Sequence, residues 1–283
     1  LGDDLVRIVF STRDESGRTR PGAIDVSASN PCEVLSIAQK PLLELGSPGE
    51  FDDRGVMPAC FLRHDGKIYL FYTGWNTSET VPYRLSIGLA CSTDGGNSFE
   101  KIGPGPIMDR SLHEPLSCSQ PYVIRRGKGF RMYYLSIFKW AEVNGRLESY
   151  YNLRYVDSDT IDHWQPLGKI AVDCDDDFTQ AIAVPTVWRE ADLYRMVYCF
   201  RGDSGFRNDR SSSYRLGYAV STDGDQWRRH DSDIGLVRSD SGWDAGMQAY
   251  PDYFQHPKGD LLFYSGNGFG KEGFGFARRR SAS

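Results

Sequence analysis

The sequence predicts an all-β protein, a five-bladed β-propeller of four-stranded antiparallel blades. Three observations carry that expectation. First, a strand–turn–strand pattern recurs. It begins as Gly55–Asn76, GVMPACFLRHDGKIYLFYTGWN, and returns from Ser119, Ala183 and Ala249. Each copy has a proline in its first strand, Pro58, Pro121, Pro185 and Pro251, spaced 63, 64 and 66 residues apart. Each closes its second strand on an aromatic, Tyr72, Tyr134, Tyr198 and Tyr264. Second, a turn ending in an aromatic (Phe99, Trp164, Trp227) marks a further hairpin in three copies. It reads Ser-Thr-Asp-Gly at Ser92 and Ser221, and more loosely Ser158-Asp159. Third, helical periodicity is absent. A β-sandwich would account for the strands but not for their self-similarity.

Taken in order, the chain opens on a fifth copy of the second strand, LVRIVFSTRD, with Phe10 62 residues before Tyr72. Blade one then lacks its inner strand. Gly273–Arg280, GFGFARRR, reads as a third strand, so the last blade lacks its outer one. A segment preceding Leu1 would fill both gaps. The blades fall near 1–45, 46–108, 109–172, 173–238 and 239–283, within one domain spanning 1–283.

Bulk properties narrow the function classes. Of the 283 residues 40% are hydrophobic and 25% charged, ordinary for a globular protein. Aromatics reach 13%, a level that suits sugar binders. A net charge of −5 disfavours nucleic acid and anionic membrane as partners. No apolar run approaches the ~20 residues a membrane span needs. The start shows no signal peptide, so a cytoplasmic location is expected. The six cysteines, Cys32, Cys60, Cys91, Cys118, Cys174 and Cys199, form no C-x-x-C pair and read as scattered buried thiols.

Loop lengths point to one functional face. Turns such as RHDGK and READ are short. The connections TRDESGRTRP, TGWNTSETVPYR, LSIFKWAEVNGRLESYY, FRGDSGFRNDRSSSY and SGNGFGKEG are long. They carry Arg13, Trp75, Tyr83, Arg84, Trp140, Arg201, Asn267 and Lys271, an aromatic and polar mix suited to sugar rings. The segments leading into the inner strands carry Asp52 and Asp53, Glu114, Asp175 to Asp177, and Asp244. Acids in all four lead-ins suggest acid–base chemistry, or cation binding, at the mouth of a ring.

At these residues the sequence resembles the five-bladed β-propeller glycosidases, glycoside hydrolase families 43, 32, 117 and 130 and their relatives. The resemblance covers essentially the whole chain. It rests on the blade pattern, the proline-bearing inner strands and S-x-D-G-x-x-W/F hairpins such as Ser221–Trp227. FDDRGVMP, TVPYRLSIGLA and GNGFGKEGFGFA are similar to segments of a propeller subgroup labelled glycosidase-like and found beside sugar-biosynthesis enzymes. In family 43 an Asp precedes the inner-strand proline, and three carboxylates share the work. Here those positions hold Met57, Gln120, Val184 and Tyr250, so that triad does not carry over.

The resemblance implies a glycosidase-like enzyme acting on a small glycoside or sugar conjugate, inverting if active, with two carboxyl groups flanking the scissile bond. Asp53 is the candidate base or orienting group, and Glu114, Asp177 or Asp244 the proton donor. Arg54, Arg84 and Lys271 could hold a carboxylate or phosphate. Gln120, Gln248 and Tyr250 complete the binding candidates. The alternative is a non-catalytic propeller that binds a sugar or glycoconjugate.

Other chemistry finds little support. His64, His113, His163, His230 and His256 are dispersed, with no zinc spacing. Cys118 reads as a buried thiol rather than a nucleophile. GNGFGKEG, residues 266–273, lacks the following helix of a phosphate loop and reads as a hairpin loop. No cofactor is expected, calcium on Asp175–Asp177 being the one candidate.

Overall fold

The computed structural model describes residues 4–174, 176–203 and 205–279. Asp175 and Arg280, named above, lie outside the described residues, as do residues 1–3. The chain is almost wholly β, with a single 3-10 turn, Asp231–Ile234, and one four-residue helical turn, Asn267–Gly270, among those residues. Neither is long enough to cross a membrane. Cα packing divides the chain into two compact units. The first comprises Leu1–Met132 and Val156–Leu167, the second Tyr133–Tyr155 and Gly168–Ser283.

The first unit contains two antiparallel meanders. One is β1 (Leu5–Arg13), β2 (Thr19–Ser27) and β3 (Val34–Ile37). The other is β4 (Gly55–His64), β5 (Lys67–Asn76), β6 (Arg84–Ser92) and β7 (Glu100–Lys101). A bridge between Thr19 and Gly55 joins β2 to β4 in parallel. The strand β8 (Cys118–Arg126) packs on β4, β5 and β6. The core between them is Ala23, Leu42, Leu43, Val56, Leu70, Tyr72, Ala90 and Phe99. Each large apolar side chain buried there contributes ~1.5–3 kcal/mol.

Two long strands follow, β9 (Gly129–Val143) and β10 (Arg146–Ser158). The stretch LSIFKWAEVNGRLESYY, expected to be loop, is strand throughout except for Asn144-Gly145. These two residues have φ of 53° and 74°, the geometry of a tight primed hairpin turn, and Asn-Gly is the dipeptide that adopts it most readily. The turn carries the chain straight from one strand into the next.

In the second unit β11 (Lys169–Val172) pairs with β10. A four-stranded meander follows, β12 (Ala181–Glu190), β13 (Leu193–Arg201), β14 (Arg215–Ser221) and β15 (Arg228–Arg229). The last meander is β16 (Ala249–Phe254), β17 (Leu261–Ser265) and β18 (Phe274–Arg278).

The closing aromatics explain why the repeat survives in the sequence. Phe10, Tyr72, Tyr198 and Tyr264 sit directly opposite glycines on the neighbouring strand, Gly22, Gly88, Gly217 and Gly275. The Tyr72 and Tyr198 rings lie over their glycines. A Cβ at Gly88 would come within 2.2 Å of the Tyr72 ring, and one at Gly217 within 2.3 Å of the Tyr198 ring. The tyrosine hydroxyls then reach buried or half-buried acids. Tyr72 donates to Asp52 at 2.9 Å, Tyr198 to Asp231 at 2.5 Å and Tyr264 to Asp244 at 3.0 Å.

The Ser-Thr-Asp-Gly turns share one hydrogen-bond scheme. Ser92 Oγ donates to Asp94 and accepts from Gly96 N–H. Ser221 Oγ donates to Asp223 and accepts from Gly224 N–H. The Asp223 carboxylate also accepts the N–H groups of Asp225 and Gln226, and these bonds hold it down at about 2. None of the six cysteines forms a disulfide. Cys60, Cys118 and Cys199 are buried, Cys91 and Cys174 half-buried and Cys32 exposed.

Candidate functional site

In the first unit the lead-in to β4 bends so that consecutive acids meet different surroundings. Asp52 is fully buried and receives both Tyr72 Oη and Lys101 Nζ, the latter at 2.7 Å. Asp53 accepts Gly49 N–H through Oδ2 at 2.9 Å, while its Oδ1 is buried with no hydrogen-bond partner. Arg54 next to it donates to the Ser16 carbonyl at 3.3 Å, and its Nε is likewise buried and unpaired. Asp52 Oδ1 is unpaired too, and since most buried polar atoms in proteins are satisfied, three consecutive exceptions mark a place where a ligand could supply the missing bonds.

Arg13 and Trp75 border the same corner. The Arg13 guanidinium lies over the Trp75 ring at 5.7 Å, and Trp75 Nε1 donates to Thr19 Oγ1 at 3.2 Å. The Arg54 backbone bonds Thr19 on one side and Trp75 on the other. Asp53, Arg54, Arg13 and Trp75 are therefore brought together. Tyr83, half-buried, and Arg84, exposed, stand at the start of β6. Gln120 N–H donates to Thr73 Oγ1 at 2.8 Å. Glu114 is buried in a turn closed by Ser111, whose Oγ accepts Glu114 N–H at 3.0 Å. Burial first, and then Asp109 and Glu114, push the nearby Cys118 thiol far up, which suits an inert buried thiol.

In the second unit several candidates hold the scaffold together. Asp244 is 3% exposed, and its Oδ2 accepts from Tyr264 Oη and Gln248 Nε2, both at 3.0 Å. Burial pulls its carboxyl up, but hydrogen bonds from Ser239, Gln248 and Tyr264 outweigh that and hold it below the usual range. Gln248 is thereby committed as well. Asn267 uses every polar atom of its side chain. Its Oδ1 accepts Gly246 and Met247 N–H, and its Nδ2 donates to the Gly242 carbonyl and to Glu272. It organises the residue 266–273 loop. Arg201 is 1% exposed, donates to the Gly202 and Ser149 carbonyls and lies over the Phe206 ring at 3.9 Å.

Asp177 is exposed, whereas its neighbour Asp176 caps Phe178 and Thr179 and pairs with Arg229. Lys271 is exposed, and Trp140 is half-buried on β9. Among the described residues no group of three or more His, Cys, Asp or Glu is disposed to hold a metal ion.

Three of the four residues preceding the inner-strand prolines, all but Met57, share an unusual backbone. In the first unit Gln120 has φ 53°, and in the second Val184 and Tyr250 both have φ 54°. The pairing of β12 with β13 and of β16 with β17 slips at these positions, so each inner strand carries a bulge. Left-handed φ at a non-glycine residue costs about 1–3 kcal/mol, most for a β-branched residue such as Val184. Bulges of this kind re-aim side chains and recur beside binding sites.

Asp252 follows the bulge of β16 and is absent from the sequence-based candidates. The residue is exposed as a whole, yet the protein packed around its carboxylate desolvates that group and pushes it up to about 7. A hydrogen bond with Thr186, on β12, pulls weakly the other way. Thr186 Oγ1 also accepts Tyr253 N–H at 3.1 Å, which ties the two inner strands together. The one sequence signal is its place directly after Pro251.

No family model matches the chain. Two curated relatives do. The "Uncharacterized protein MT1551" of Mycobacterium tuberculosis (strain CDC 1551 / Oshkosh) is 36% identical over 274 residues, covering 97% of this chain and 88% of its own. The "Uncharacterized protein Rv1502" of strain ATCC 25618 / H37Rv matches to the same extent. The chain belongs to the MT1551/Rv1502 family. Solved structures resemble this member of the MT1551/Rv1502 family along nearly its whole length. One glycoside hydrolase has a TM-score of 0.73 at 15% identity, covering 99% of this chain and 89% of its own. A thermostable family-43 glycoside hydrolase has a TM-score of 0.67 at 17% identity, covering 96% and 90%. The Bombyx mori GH32 β-fructofuranosidase BmSUC1 has a TM-score of 0.63 at 15% identity, covering 94% and 53%. The fold is that of the β-propeller glycoside hydrolases.

Proposed function

We propose that this chain is a carbohydrate-active, glycosidase-like enzyme of five blades that acts on a small glycoside or sugar conjugate. Asp252 is the observation that carries the reading. A carboxyl group on an inner strand, desolvated by its surroundings within an otherwise exposed residue and holding its proton to about pH 7, has the properties of a general acid. In its protonated form it would donate to the glycosidic oxygen as the C–O bond breaks. A water molecule would supply the new hydroxyl group, its proton passing to a second carboxylate. Within the first unit, Asp53, with an unpaired buried Oδ1, is a candidate carboxylate of its own. Arg54, Arg13 and Trp75 would orient a sugar beside Asp53.

Asp244 leaves the list of proton donors under this reading, because its partners keep it ionised. Glu114 and Asp177 remain as secondary candidates, one buried in a turn and one exposed.

The test is Asp252→Asn against a panel of aryl glycosides and oligosaccharides, with sugar release and binding measured separately. Loss of turnover with affinity kept supports the enzyme. The second reading, a non-catalytic sugar-binding propeller, draws on the absence of acids at Met57, Gln120, Val184 and Tyr250. It gains if the unmodified protein binds members of the panel and releases no sugar from any of them.

A further inference from the structure

The second unit presents two neighbouring aromatic residues that are partly open to solvent. Tyr250, on β16, is 39% exposed, and Phe269, in the loop between β17 and β18, is 36% exposed. Their ring centroids lie 6.3 Å apart with planes tilted by 31°, so together they form a shallow shelf. Both residues have left-handed backbones, φ 54° at Tyr250 and 61° at Phe269. Aromatic residues resist that conformation, and the surrounding structure must over-determine it. Phe269 N–H, for instance, is held by Met247 Sδ at 3.4 Å.

The shelf is supported from behind. The buried Tyr214 ring meets Phe269 edge-on at 5.9 Å and meets Phe206 edge-on at the same distance. The Tyr214 and Tyr151 hydroxyls bond each other. Arg201 packs over the Tyr151 ring at 5.5 Å and over the Phe206 ring at 3.9 Å. Strain, rigidity and outward-facing aromatic surface therefore coincide in one place, two residues along the strand from Asp252.

We propose that Tyr250 and Phe269 form a stacking platform for one pyranose ring of the substrate. This rests on the carbohydrate reading above. A pyranose offers a face of C–H groups to an aromatic plane and hydroxyl groups around its edge, which suits an apolar shelf with polar surroundings. Two tilted rings would cradle one sugar unit rather than a flat aromatic ligand. Phe269 is absent from the sequence-based candidates because a lone aromatic in a glycine-rich loop has no pattern to betray it.

The experiment measures binding of methyl pyranosides and short oligosaccharides by calorimetry to the full chain and to Phe269→Tyr, Phe269→Leu and Tyr250→Leu. Leucine keeps apolar bulk and removes the aromatic face. The expected result is unchanged affinity in Phe269→Tyr and a loss of about 3- to 10-fold in each leucine variant. Leucine variants that bind as the parent does would overturn the platform and leave the carbohydrate reading standing. So would an equal loss in Phe269→Tyr and Phe269→Leu, which would assign the ring to packing. A parent that binds no member of the panel sinks the carbohydrate reading itself, and the platform with it.

Discussion

Two carboxyl groups eight residues apart, Asp244 in the lead-in to β16 and Asp252 within that strand, have opposite fates. Asp244 is the more deeply shielded from water, yet its carboxyl is held down. Asp252 is an exposed residue, yet packing around its carboxyl holds that group up. Exposure of the residue as a whole does not decide between them; what decides is whether donors offset the desolvation of each carboxyl. Asp244 collects donors from Tyr264 and Gln248, which offset its burial, while Thr186 is the single group opposing the desolvation of Asp252. An acid that scaffolding has claimed is thereby separated from one left free to exchange a proton.

Substitution tests that separation most sharply. Asp252→Asn should lower turnover by about 10²- to 10⁴-fold, the usual contribution of a general acid, with the urea unfolding midpoint unchanged or raised. Asp244→Ala should do the reverse. It leaves the Tyr264 hydroxyl and the Gln248 amide without their acceptor, and a loss of ~2–4 kcal/mol in unfolding free energy is expected from urea titration. If Asp244→Ala retains full stability while turnover collapses, the two roles have been assigned the wrong way round.

Stability against pH gives a second, smaller contrast of opposite sign. Asp252 holds its proton more tightly when folded than when unfolded. Its contribution is complete below about pH 4 and fades as pH rises through about 7. Asp244 releases its proton more readily when folded, so its contribution is complete above about pH 4 and is lost on acidification. Asp252→Asn should therefore flatten the alkaline side of the stability curve and leave the acid side alone, as read from unfolding midpoints between pH 3 and 9. The smallest effect belongs to a turn whose bonds among Ser221, Asp223, Asp225 and Gln226 involve neither acid. Asp223→Asn should lower the unfolding midpoint measurably, through lost bonds to Ser221, Asp225 and Gln226, and leave sugar binding unchanged.

The sequence made the fold legible because its signals are local. The inner-strand proline, the tyrosine that closes each second strand and the Ser-Thr-Asp-Gly turn each lie within one meander, and their regular return along the chain betrays the repeat. Asn144-Gly145 was an equally local signal, and reading the residues around it as loop overlooked a two-residue hairpin. The site was less legible. Asp244 and Asp252 are both acids near Pro251, and what distinguishes them arrives from Tyr264, Gln248 and Thr186, on segments that only folding brings near. Asp53 was legible as an acid, but its unpaired oxygen was not. The left-handed backbones at Gln120, Val184 and Tyr250 are a consequence of strand bulging that side-chain identity does not announce.

The tyrosines seated over Gly88 and Gly217 bear on how the chain assembles. Slipping β6 by one residue against β5, or β14 against β13, would bring a residue with a Cβ beneath a ring that has room for none. Each hairpin therefore carries its own check on alignment, applied as soon as its two strands meet. In a polypeptide whose segments so resemble one another, proofreading at that scale would keep an early misstep from being copied into everything that folds on top of it.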